Sequence, residues 1–392
     1  MQNVDFDVII VGGGPAGLAC ARSLVGAGLR TVVVESSTDD DLSTPPYDGR
    51  DIALTHGSKR ILIDIGVWER LPADEIYPIR DARVLDGHSP YALEFTRREA
   101  GVDALGFLVS NHLIRRTLYE EVSMWEEVLM RTARTVDSVN PDSDAVSVTL
   151  DNGESLKASL LIAADSRFSG VRRQVGIPAR TRDFGRTALV CRMNHQLDNG
   201  GVASECFQYG QTVAALPLSR NISSIVITVP TDRADELANM ALADFEAWVT
   251  SRLEAGFGQM KLLSKRFVYP LIAVLADRFV GTRTALIGDA AVGMHPVTAH
   301  GYNLGLSGQE LLTEIVRTTF RQGNDIGAAS RLERFNRRHR RVVLPVYCGT
   351  NALVGLYTSE KPPTKMLRKA LLRAANHLRP MRKVVIDRLV GH

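Results

Sequence analysis

The sequence has few of the residues that build disulfide frameworks, zinc sites or membrane spans. Its four cysteines, at positions 20, 191, 206 and 348, are scattered over 392 residues without a C-x-x-C spacing, so we expect no metal site and no disulfide framework. The longest nearly apolar run, residues 342–357, is shorter than the ~20 residues of a membrane span and contains Pro345. These features predict a reduced, cytoplasmic protein in which that run forms a buried or interfacial helix.

Signatures of hydrolytic enzymes are missing as well. The chain has no G-x-S-x-G nucleophile elbow, no H-E-x-x-H pair and no paired-carboxylate motif. Those patterns supply the nucleophile, the metal ligands, or the acid and base of hydrolases. The chemistry is therefore expected to come from another kind of site.

Positive charge is concentrated in one part of the sequence. Residues 331–392 carry fifteen Lys and Arg against three Asp and Glu, a net charge of +12, which leaves residues 1–330 at −9. This asymmetry favours an anionic surface or partner for that region and argues against general nucleic-acid binding. Residues 364–378 place apolar side chains on one helical face and basic ones elsewhere, the pattern of a helix that lies on a membrane surface. A helix docked on the body with its basic groups in solvent is the alternative.

The clearest motif is a βαβ unit near the start of the chain. An apolar strand, residues 7–11, leads into Gly-Gly-Gly-Pro-Ala-Gly at residues 12–17, which is followed by a helical run to Gly28. A second β-branched run then ends in Glu35. Strand, glycine turn, helix, strand and acid are all in register, and this combination indicates dinucleotide binding.

Each residue of the glycine turn has a physical role in such a unit. Gly12 permits the tight turn, Gly14 lets the backbone approach a pyrophosphate, and Gly17 lets the helix lie close to the strand. Pro15 suits the first helical turn, whose unpaired amides and dipole attract a diphosphate. Glu35 lies eighteen positions after Gly17, near the ~20 at which a carboxylate takes ribose hydroxyls.

Later stretches repeat the sequence of strand, turn and helix. Residues 158–165 read as a buried strand that ends in Asp165, and residues 284–289 as a strand that ends in Asp289. After the second strand, a glycine-containing segment precedes a predicted helix over residues 309–320, which again places backbone amides at a helix start. Residues 107–118 also have helical character, with Asn111 exposed on the polar side.

The middle of the chain has a different pattern. Residues 187–274 contain short alternating strands, interrupted by one amphipathic helix over residues 234–254. Strands of this kind predict a mixed or antiparallel sheet inserted between pieces of the parallel one, and hence a second domain.

Three separated stretches together resemble the flavoprotein aromatic hydroxylases of the para-hydroxybenzoate hydroxylase class. They are residues 12–17 with Glu35, the strand that ends in Asp165, and residues 288–305 with Gly-Asp, His-Pro and Gly-Tyr-Asn-Leu-Gly. Within that class, Asp-Gly-Arg-Asp-Ile-Ala-Leu at residues 48–54 and Ala-Leu-Pro-Leu at 215–218 are similar to the hydroxylases of ubiquinone biosynthesis.

The resemblance implies an α/β fold in which a Rossmann-like FAD-binding domain carries an inserted mixed β-sheet substrate domain and C-terminal helices. The expected FAD-binding domain is discontinuous and comprises residues 1–75, 101–184 and 277–340. The expected substrate domain comprises residues 76–100 and 185–276, and residues 341–392 form the basic helical region.

The resemblance also implies which residues bind FAD. The diphosphate is expected to contact Gly12, Gly14, Pro15, Ala16, Arg50 and Asp165. The adenosine and ribityl parts are expected to contact Glu35 on the ribose, the backbone of Val136 on adenine, Asn111 and Arg115 on the ribityl or flavin side, and Asp289 on the ribityl hydroxyls. The flavin ring is expected to face Pro296, Gly301, Tyr302, Asn303 and Leu304.

The implied activity is FAD-dependent hydroxylation of an aromatic ring of a polyprenylated phenol or quinol. In this class the reduced flavin reacts with O2 to a C4a-hydroperoxide, and NAD(P)H or another electron donor is the reductant. His295 and His300 are candidate proton relays because they are the histidines near the expected flavin face. A polyprenyl substrate resides in the bilayer, so together with the basic C-terminal helix it favours peripheral contact at the inner face of the membrane, and a biosynthetic complex is a candidate partner.

Two alternatives follow from the same residues. The substrate of the hydroxylase could be a soluble aromatic compound or a polyketide. The chain could also be a flavin-binding scaffold of a biosynthetic complex, because Ser166 and Ala299 replace residues that are usually glycine in the family.

Overall fold

The chain is described here by a computed structural model, which covers residues 4–86, 92–208, 210–296 and 299–358 together with residues 386, 390 and 391. Its strands in chain order are β1 Phe6–Val11, β2 Thr31–Val34, β3 Asp51–Leu54, β4 Tyr77–Ile79, β5 Asp81–Asp86, β6 Ala92–Thr96, β7 Gly106–Ser110, β8 Val128–Arg131, β9 Val136–Pro141, β10 Val146–Leu150, β11 Ser155–Ala163, β12 Ala179–His195, β13 Val202–Gln208, β14 Gln211–Pro217, β15 Ile222–Pro230, β16 Met260–Leu262, β17 Phe267–Ala276, β18 Val280–Gly281, β19 Thr284–Leu286 and β20 Val292–Gly293.

The helices are interspersed with these strands along the chain, and two long helices follow the last strand. They are α1 Pro15–Leu24, α2 Asp39–Ser43, α3 His56–Asp64, α4 Arg97–Ala100, α5 Asn111–Val122, α6 Gly170–Gln174, α7 Thr231–Asn239, α8 Leu242–Phe257, α9 Gly301–Arg321 and α10 Ala329–Thr358. Short 3-10 turns occur at Trp68–Arg70, Ala73–Glu75 and Gly288–Ala290.

An eight-stranded sheet carries the glycine turn. Its order is β18-β19-β11-β1-β2-β8, and β10 and β9 extend from β11. Strand β1 runs parallel to β2 and β11, and β11 runs parallel to β19. Because the carboxyl ends of parallel strands meet at one edge, the residues that follow β1, β2, β11 and β19 are brought together. The predicted Rossmann-like core is confirmed.

The second large sheet has nine strands. Its order is β20-β17-β12-β15-β14-β13-β5-β6, with β16 paired to β12. All neighbours are antiparallel except β13 and β5. Helices α7 and α8 cover one face of this sheet, where residues such as Cys191, Ile227 and Phe245 are buried. This is the mixed sheet predicted from the alternating strands.

The sequence prediction of one helix over residues 234–254 is wrong, because α7 and α8 are separate. Met240 and Ala241 have ψ angles of 143° and 145°, which are extended. The Arg266 guanidinium donates to the carbonyls of Leu237 at 2.9 Å and Met240 at 2.8 Å. A residue distant in sequence therefore satisfies carbonyls at the end of α7, where an unbroken helix would satisfy them itself.

A small antiparallel sheet has the strand order β3-β7-β4. The helix predicted from residue 107 is wrong for its first four residues, because residues 107–110 belong to β7 and pair with β3 and β4. Asn111 opens α5 and is 6% exposed, so its predicted exposure is also wrong. A short apolar run followed by a helix cannot be divided by periodicity alone.

Two long helices end the described chain. Helix α9 begins at Gly301, eight residues earlier than the prediction, so the Gly-Tyr-Asn-Leu-Gly segment is its first turn and not the loop before it. Helix α10 includes residues 342–357 and packs against α9. Within the described ranges, no helix is both long and apolar enough to cross a bilayer. Residues 364–378 lie outside the described residues.

The predicted division into domains stays a prediction. Strand β12 begins at Ala179 and crosses the expected boundary at residues 184 and 185 without a break. Helix α10 likewise crosses the expected boundary at residues 340 and 341.

Candidate active site

The glycine turn after β1 has the geometry that a dinucleotide diphosphate requires. Gly12 has a φ of +110°, and a Cβ at this position would lie 2.4 Å from the Ala164 carbonyl oxygen. A Cβ on Gly17 would lie 1.9 Å from the Gly12 carbonyl oxygen. By contrast, a Cβ on Gly14 would meet nothing within 4 Å. Open space therefore lies at the amino end of α1, where backbone amides and the helix dipole attract phosphate.

Glu35, at the end of β2, is joined to this turn. Its Oε2 accepts a hydrogen bond from the Gly13 amide at 2.5 Å, and its Oε1 accepts one from the Ser37 amide at 2.8 Å. Burial acts to raise the pKa of Glu35, but these hydrogen bonds outweigh it and hold the pKa below its usual value. An ionised carboxylate retains acceptor capacity for ribose hydroxyls.

Val136 lies close to the same end of the sheet. The Arg134 amide donates to the Glu35 carbonyl at 3.0 Å, two residues before Val136 opens β9. The expected adenine contact and the expected ribose contact are thus neighbours. Arg115 is half-buried on α5, one turn after Asn111.

The segments after β11 and β19 contact each other. Asp165 accepts from the Ser169 hydroxyl at 2.6 Å and from the Val171 amide at 3.1 Å. Arg172 is 5% exposed and donates to the Ala290 carbonyl at 2.9 Å. Burial lowers the pKa of Arg172. Through Arg172, the second motif of the sequence is joined to the third.

Asp289 stands at the same edge of the sheet. Its Oδ2 lies 3.1 Å from Nη2 of Arg167, and its side chain is 38% exposed. Arg167 also donates to the Ile272 carbonyl at 3.0 Å. The position, directly after β19, and the partial exposure fit a carboxylate that accepts hydrogen bonds from a ligand.

Arg50 lies at the end of the loop between α2 and β3. Its Nη2 lies 2.6 Å from Oδ2 of Asp48, and Nδ2 of Asn111 donates to the same oxygen at 2.7 Å. Tyr269 of β17 donates its hydroxyl to the Asp48 carbonyl. Asn111 therefore acts on Asp48 in this structure, while the Arg50 side chain is 48% exposed. Arg50 keeps further guanidinium donors for a diphosphate.

The first turn of α9 is clamped by Asn303. Its Oδ1 accepts from the Thr55 amide at 3.1 Å and the Ser58 hydroxyl at 2.6 Å. Its Nδ2 donates to the carbonyls of Ala53 at 2.8 Å and Ala299 at 2.7 Å. Three of these contacts fix the helix start against β3 and α3, and the fourth, to Ala299, joins it to the segment that precedes α9. The amides of Gly301, Tyr302 and Asn303 are in the first turn, where no intrahelical acceptor is available to them.

Other predicted residues of this segment have distinct surroundings. Leu304 is buried and donates its amide to the His300 carbonyl at 2.9 Å, and the exposed Pro296 accepts from the Ala299 amide at 2.8 Å. The Tyr302 hydroxyl is buried and has no hydrogen-bond partner among the described residues, and burial raises its pKa. Such an atom needs a partner from a ligand or water.

The two candidate histidines differ in environment. His295 is 6% exposed and lies edge-on to Phe184, with ring centroids 4.9 Å apart. Burial, with smaller contributions from Arg186 and Arg182, lowers its pKa to about 4, so it is neutral at pH 7. His300 precedes α9 and is half-buried. Of the two, His300 is the nearer in sequence to the amides of the first turn.

Sequence reasoning missed a buried polar cluster between β3, β7 and β12. Oδ1 of Asp51 accepts from Nη2 of Arg192 at 2.7 Å and from the Ser110 hydroxyl at 2.7 Å. The Asp51 side chain is 0% exposed, and that of Arg192 is 20% exposed. The guanidinium carbon lies 4.9 Å from the centroid of the Tyr47 ring. Asp51 follows Arg50 directly, but nothing in the sequence singles out Arg192.

Comparison with known proteins decides the family. A profile described as the FAD binding domain matches residues 5–343. The chain belongs to this FAD-binding family. This flavoprotein is 46% identical to ubiquinone hydroxylase UbiM of Neisseria meningitidis, with 100% of the chain and 86% of that protein covered. It is 33% identical to ubiquinone hydroxylase UbiL of Rhodospirillum rubrum, with 98% and 89% covered.

Solved structures agree on the fold. The flavoprotein superposes on p-nitrophenol 4-monooxygenase PnpA from Pseudomonas putida with a TM-score of 0.77 and 20% identity, and 98% of each chain is covered. The resemblance to FAD-dependent aromatic hydroxylases, and to those of ubiquinone biosynthesis in particular, is confirmed. FAD is its cofactor, and the open glycine turn, the ionised Glu35 and the first-turn amides of α9, which have no intrahelical acceptor, fit that group.

Proposed function

We propose that this flavoprotein hydroxylates an aromatic ring of a polyprenylated phenol or quinol in ubiquinone biosynthesis. The observation that carries the proposal is the meeting of the glycine turn, the 3-10 turn that contains Asp289 and the start of α9 at one sheet edge, together with 46% identity, over 100% of this chain, to a ubiquinone hydroxylase. Bound FAD, once reduced by NAD(P)H or another electron donor, supplies the activation of O2.

The chain's own residues bind and orient. We assign the diphosphate to the amides at the start of α1, the adenosine ribose to Glu35 and the ribityl hydroxyls to Asp289. The first turn of α9 faces the flavin pyrimidine ring, where its dipole stabilises negative charge. Asn303 fixes that turn through four hydrogen bonds, so the amides are preorganised for the ring.

Purified protein tests the proposal directly. The holoenzyme is incubated with O2, a reductant and either a prenylated phenol or a soluble phenol without the prenyl group, and the products are identified by mass spectrometry. Hydroxylation of the prenylated compound with higher kcat/KM supports the proposed substrate. Equal or better use of the soluble compound would favour the alternative of a soluble aromatic substrate.

The scaffold alternative rests on Ser166 and Ala299. These residues have φ angles of +86° and +52°, the left-handed region that favours glycine. The backbone therefore keeps the conformation that glycine would allow, which supports a working site. If NAD(P)H fails to reduce the bound flavin both with and without the prenylated phenol, while hydroxylated product is also absent, the scaffold is favoured.

We also propose His300 as the proton relay for the substrate hydroxyl. It lies at the start of α9, and an imidazole has the pKa that such a transfer needs. His300→Ala should retain bound FAD but release more hydrogen peroxide per NAD(P)H consumed. His300→Gln is the matched variant that keeps a hydrogen-bonding group. If both variants release the same amount of hydrogen peroxide per NAD(P)H as the wild type, His300 is not the proton relay.

Contact with a membrane or a biosynthetic complex is a further part of the proposal. Residues 331–392 carry a net charge of +12, which favours an anionic membrane surface. Full-length protein should co-sediment with vesicles that contain phosphatidylglycerol and should be released by high salt. Absence of co-sedimentation at low salt would leave the docked helix as the better interpretation.

A further inference from the structure

A surface cleft separate from the glycine turn lies beside the start of α3. It encloses about 590 Å³, and its lining includes His56, Lys59, Arg80, Arg97, Val102 and Phe107. This volume is within the range of small-molecule sites. Three of the lining residues are cations, Lys59, Arg80 and Arg97, and one, Asp103, is an acid.

Among the residues that the structure describes, the three cations have no carboxylate partner. Across the described ranges, no Asp or Glu oxygen lies within 4.0 Å of the charged nitrogens of Lys59, Arg80 or Arg97. Many other arginines of this chain do pair, for example Arg60 with Asp64 at 2.8 Å. Unpaired like charges around one cleft repel each other, and a bound anion relieves that repulsion.

Two aromatic rings, Phe107 in the cleft lining and Trp68 beside it, position the ammonium of Lys59. Nζ of Lys59 lies 4.9 Å from the Trp68 ring centroid and 4.5 Å from that of Phe107. Cation–π contact holds the ammonium at a defined place while leaving its N–H donors available. His56 is oriented by a contact of 2.7 Å between Nε2 and the Ala104 carbonyl. The cleft thus combines fixed donors with an apolar wall.

We propose that this cleft binds a phosphate-bearing anion through Lys59, Arg80 and Arg97. A guanidinium fork matches phosphate oxygens, and two forks with one ammonium suit a diphosphate or a phosphodiester. Two sources share this chemistry: the diphosphate of a nicotinamide dinucleotide and the headgroup of an anionic phospholipid. The inference goes beyond the proposed function, and its binding test does not depend on hydroxylation.

Each source has support in the chain. The sequence has only one dinucleotide-type glycine turn, so a nicotinamide dinucleotide needs a site of another kind. The Thr55 amide, next to His56, donates to Asn303 in the first turn of α9, which connects the cleft wall to the flavin-facing helix. The phospholipid source fits Val102, which also packs in the cluster that contains Ile386 and Val390 of the basic C-terminal region.

The test measures pyrophosphate binding to the FAD-loaded holoenzyme by isothermal titration calorimetry. The variant is Arg80→Gln with Arg97→Gln. Loss of a charge-assisted hydrogen bond weakens binding by roughly tenfold or more per cation. The control is Arg180→Gln with Arg220→Gln, which changes the net charge equally at side chains that are 84% and 88% exposed outside the cleft. FAD content and thermal unfolding are measured for all proteins.

The expected result is that the cleft variant keeps FAD and its melting temperature but binds pyrophosphate at least tenfold more weakly, while the control does not. Equal affinity in wild type, cleft variant and control would overturn the proposal. Two further arms identify the source: the Kd for NADPH, and co-sedimentation with phosphatidylglycerol vesicles. If the cleft variant, but not the control, loses NADPH affinity or vesicle co-sedimentation, that result supports the proposal and identifies the source of the bound phosphate group. Failure of hydroxylation alone would affect only the proposed function.

Discussion

The buried ion pair between Arg192 and Asp51 offers a sharp test of what joins the small sheet to the nine-stranded sheet. Arg192→Met removes the cation and leaves the Asp51 carboxylate, which is 0% exposed, without a charge partner. Its second oxygen, Oδ2, is already buried without a hydrogen-bond partner in the described part of the chain. An uncompensated buried charge of this kind costs about 3–5 kcal/mol of unfolding free energy.

Asp51→Asn should cost less. The amide is neutral, and its oxygen still accepts from Ser110 or Arg192, so we expect a loss of about 1–3 kcal/mol. The double variant has no buried charge at either position. It should therefore be more stable than Arg192→Met alone, although it carries one change more.

The assay is urea unfolding of the FAD-saturated holoenzyme, followed by circular dichroism. The control is Arg180→Met, which breaks an exposed pair with Asp277 at 3.5 Å and should cost no more than about 1 kcal/mol. If Arg192→Met costs no more than this control, or if the double variant is less stable than Arg192→Met, the reasoning from buried charge is wrong.

Further predictions concern the glycine turn and two titratable groups. Gly17→Ala should destabilise the protein with or without FAD, because the added Cβ would lie 1.9 Å from the Gly12 carbonyl oxygen. A Cβ on Gly14 would meet nothing within 4 Å. Gly14→Ala should therefore leave the stability of the apoprotein unchanged but weaken FAD binding, as measured by a fluorescence titration. Burial lowers the pKa of His295 from an ordinary 6.5 to about 4. As pH falls, the unfolded chain therefore protonates this histidine before the folded protein does, and stability should decrease between pH 6.5 and pH 4. His295→Gln should show a smaller decrease in melting temperature over that range. Burial raises the pKa of Glu205 from 4.5 to about 7, so stability should be lost as pH rises through that interval. Glu205→Gln should melt higher than wild type at pH 8 and not at pH 4, and an equal difference at both would contradict the assignment.

Local patterns made the cofactor-binding unit readable from the sequence. Strand β1, the glycine turn, α1 and Glu35 lie within one short segment, and each step depends on neighbouring residues: glycine for the turn, proline for the first helical turn and β-branched residues for a buried strand. The resemblance to the ubiquinone-biosynthesis hydroxylases added FAD and the reaction, which the comparisons confirm. The individual site residues stay predictions.

Other features depended on partners far along the chain. At the break between α7 and α8, Arg266 donates a hydrogen bond to the Leu237 carbonyl. At the start of α9, Asn303 forms hydrogen bonds with residues about 250 positions earlier in the chain. Residues 107–110 became a strand because β3 and β4 flank them. Their short apolar run is compatible with either structure until those partners are known.

The residues of the glycine turn and its flanking strands are enough to predict a βαβ unit with an open phosphate turn, because backbone conformation there depends on those residues. Which charges are buried together, and which lack a carboxylate partner among the described residues, depends on how distant segments pack. Asp51 and Arg192 are 141 positions apart, and the cations of the α3 cleft come from three separate segments. Coulomb energies and hydrogen bonds depend on distance and exposure, and these exist only once the sheets have packed.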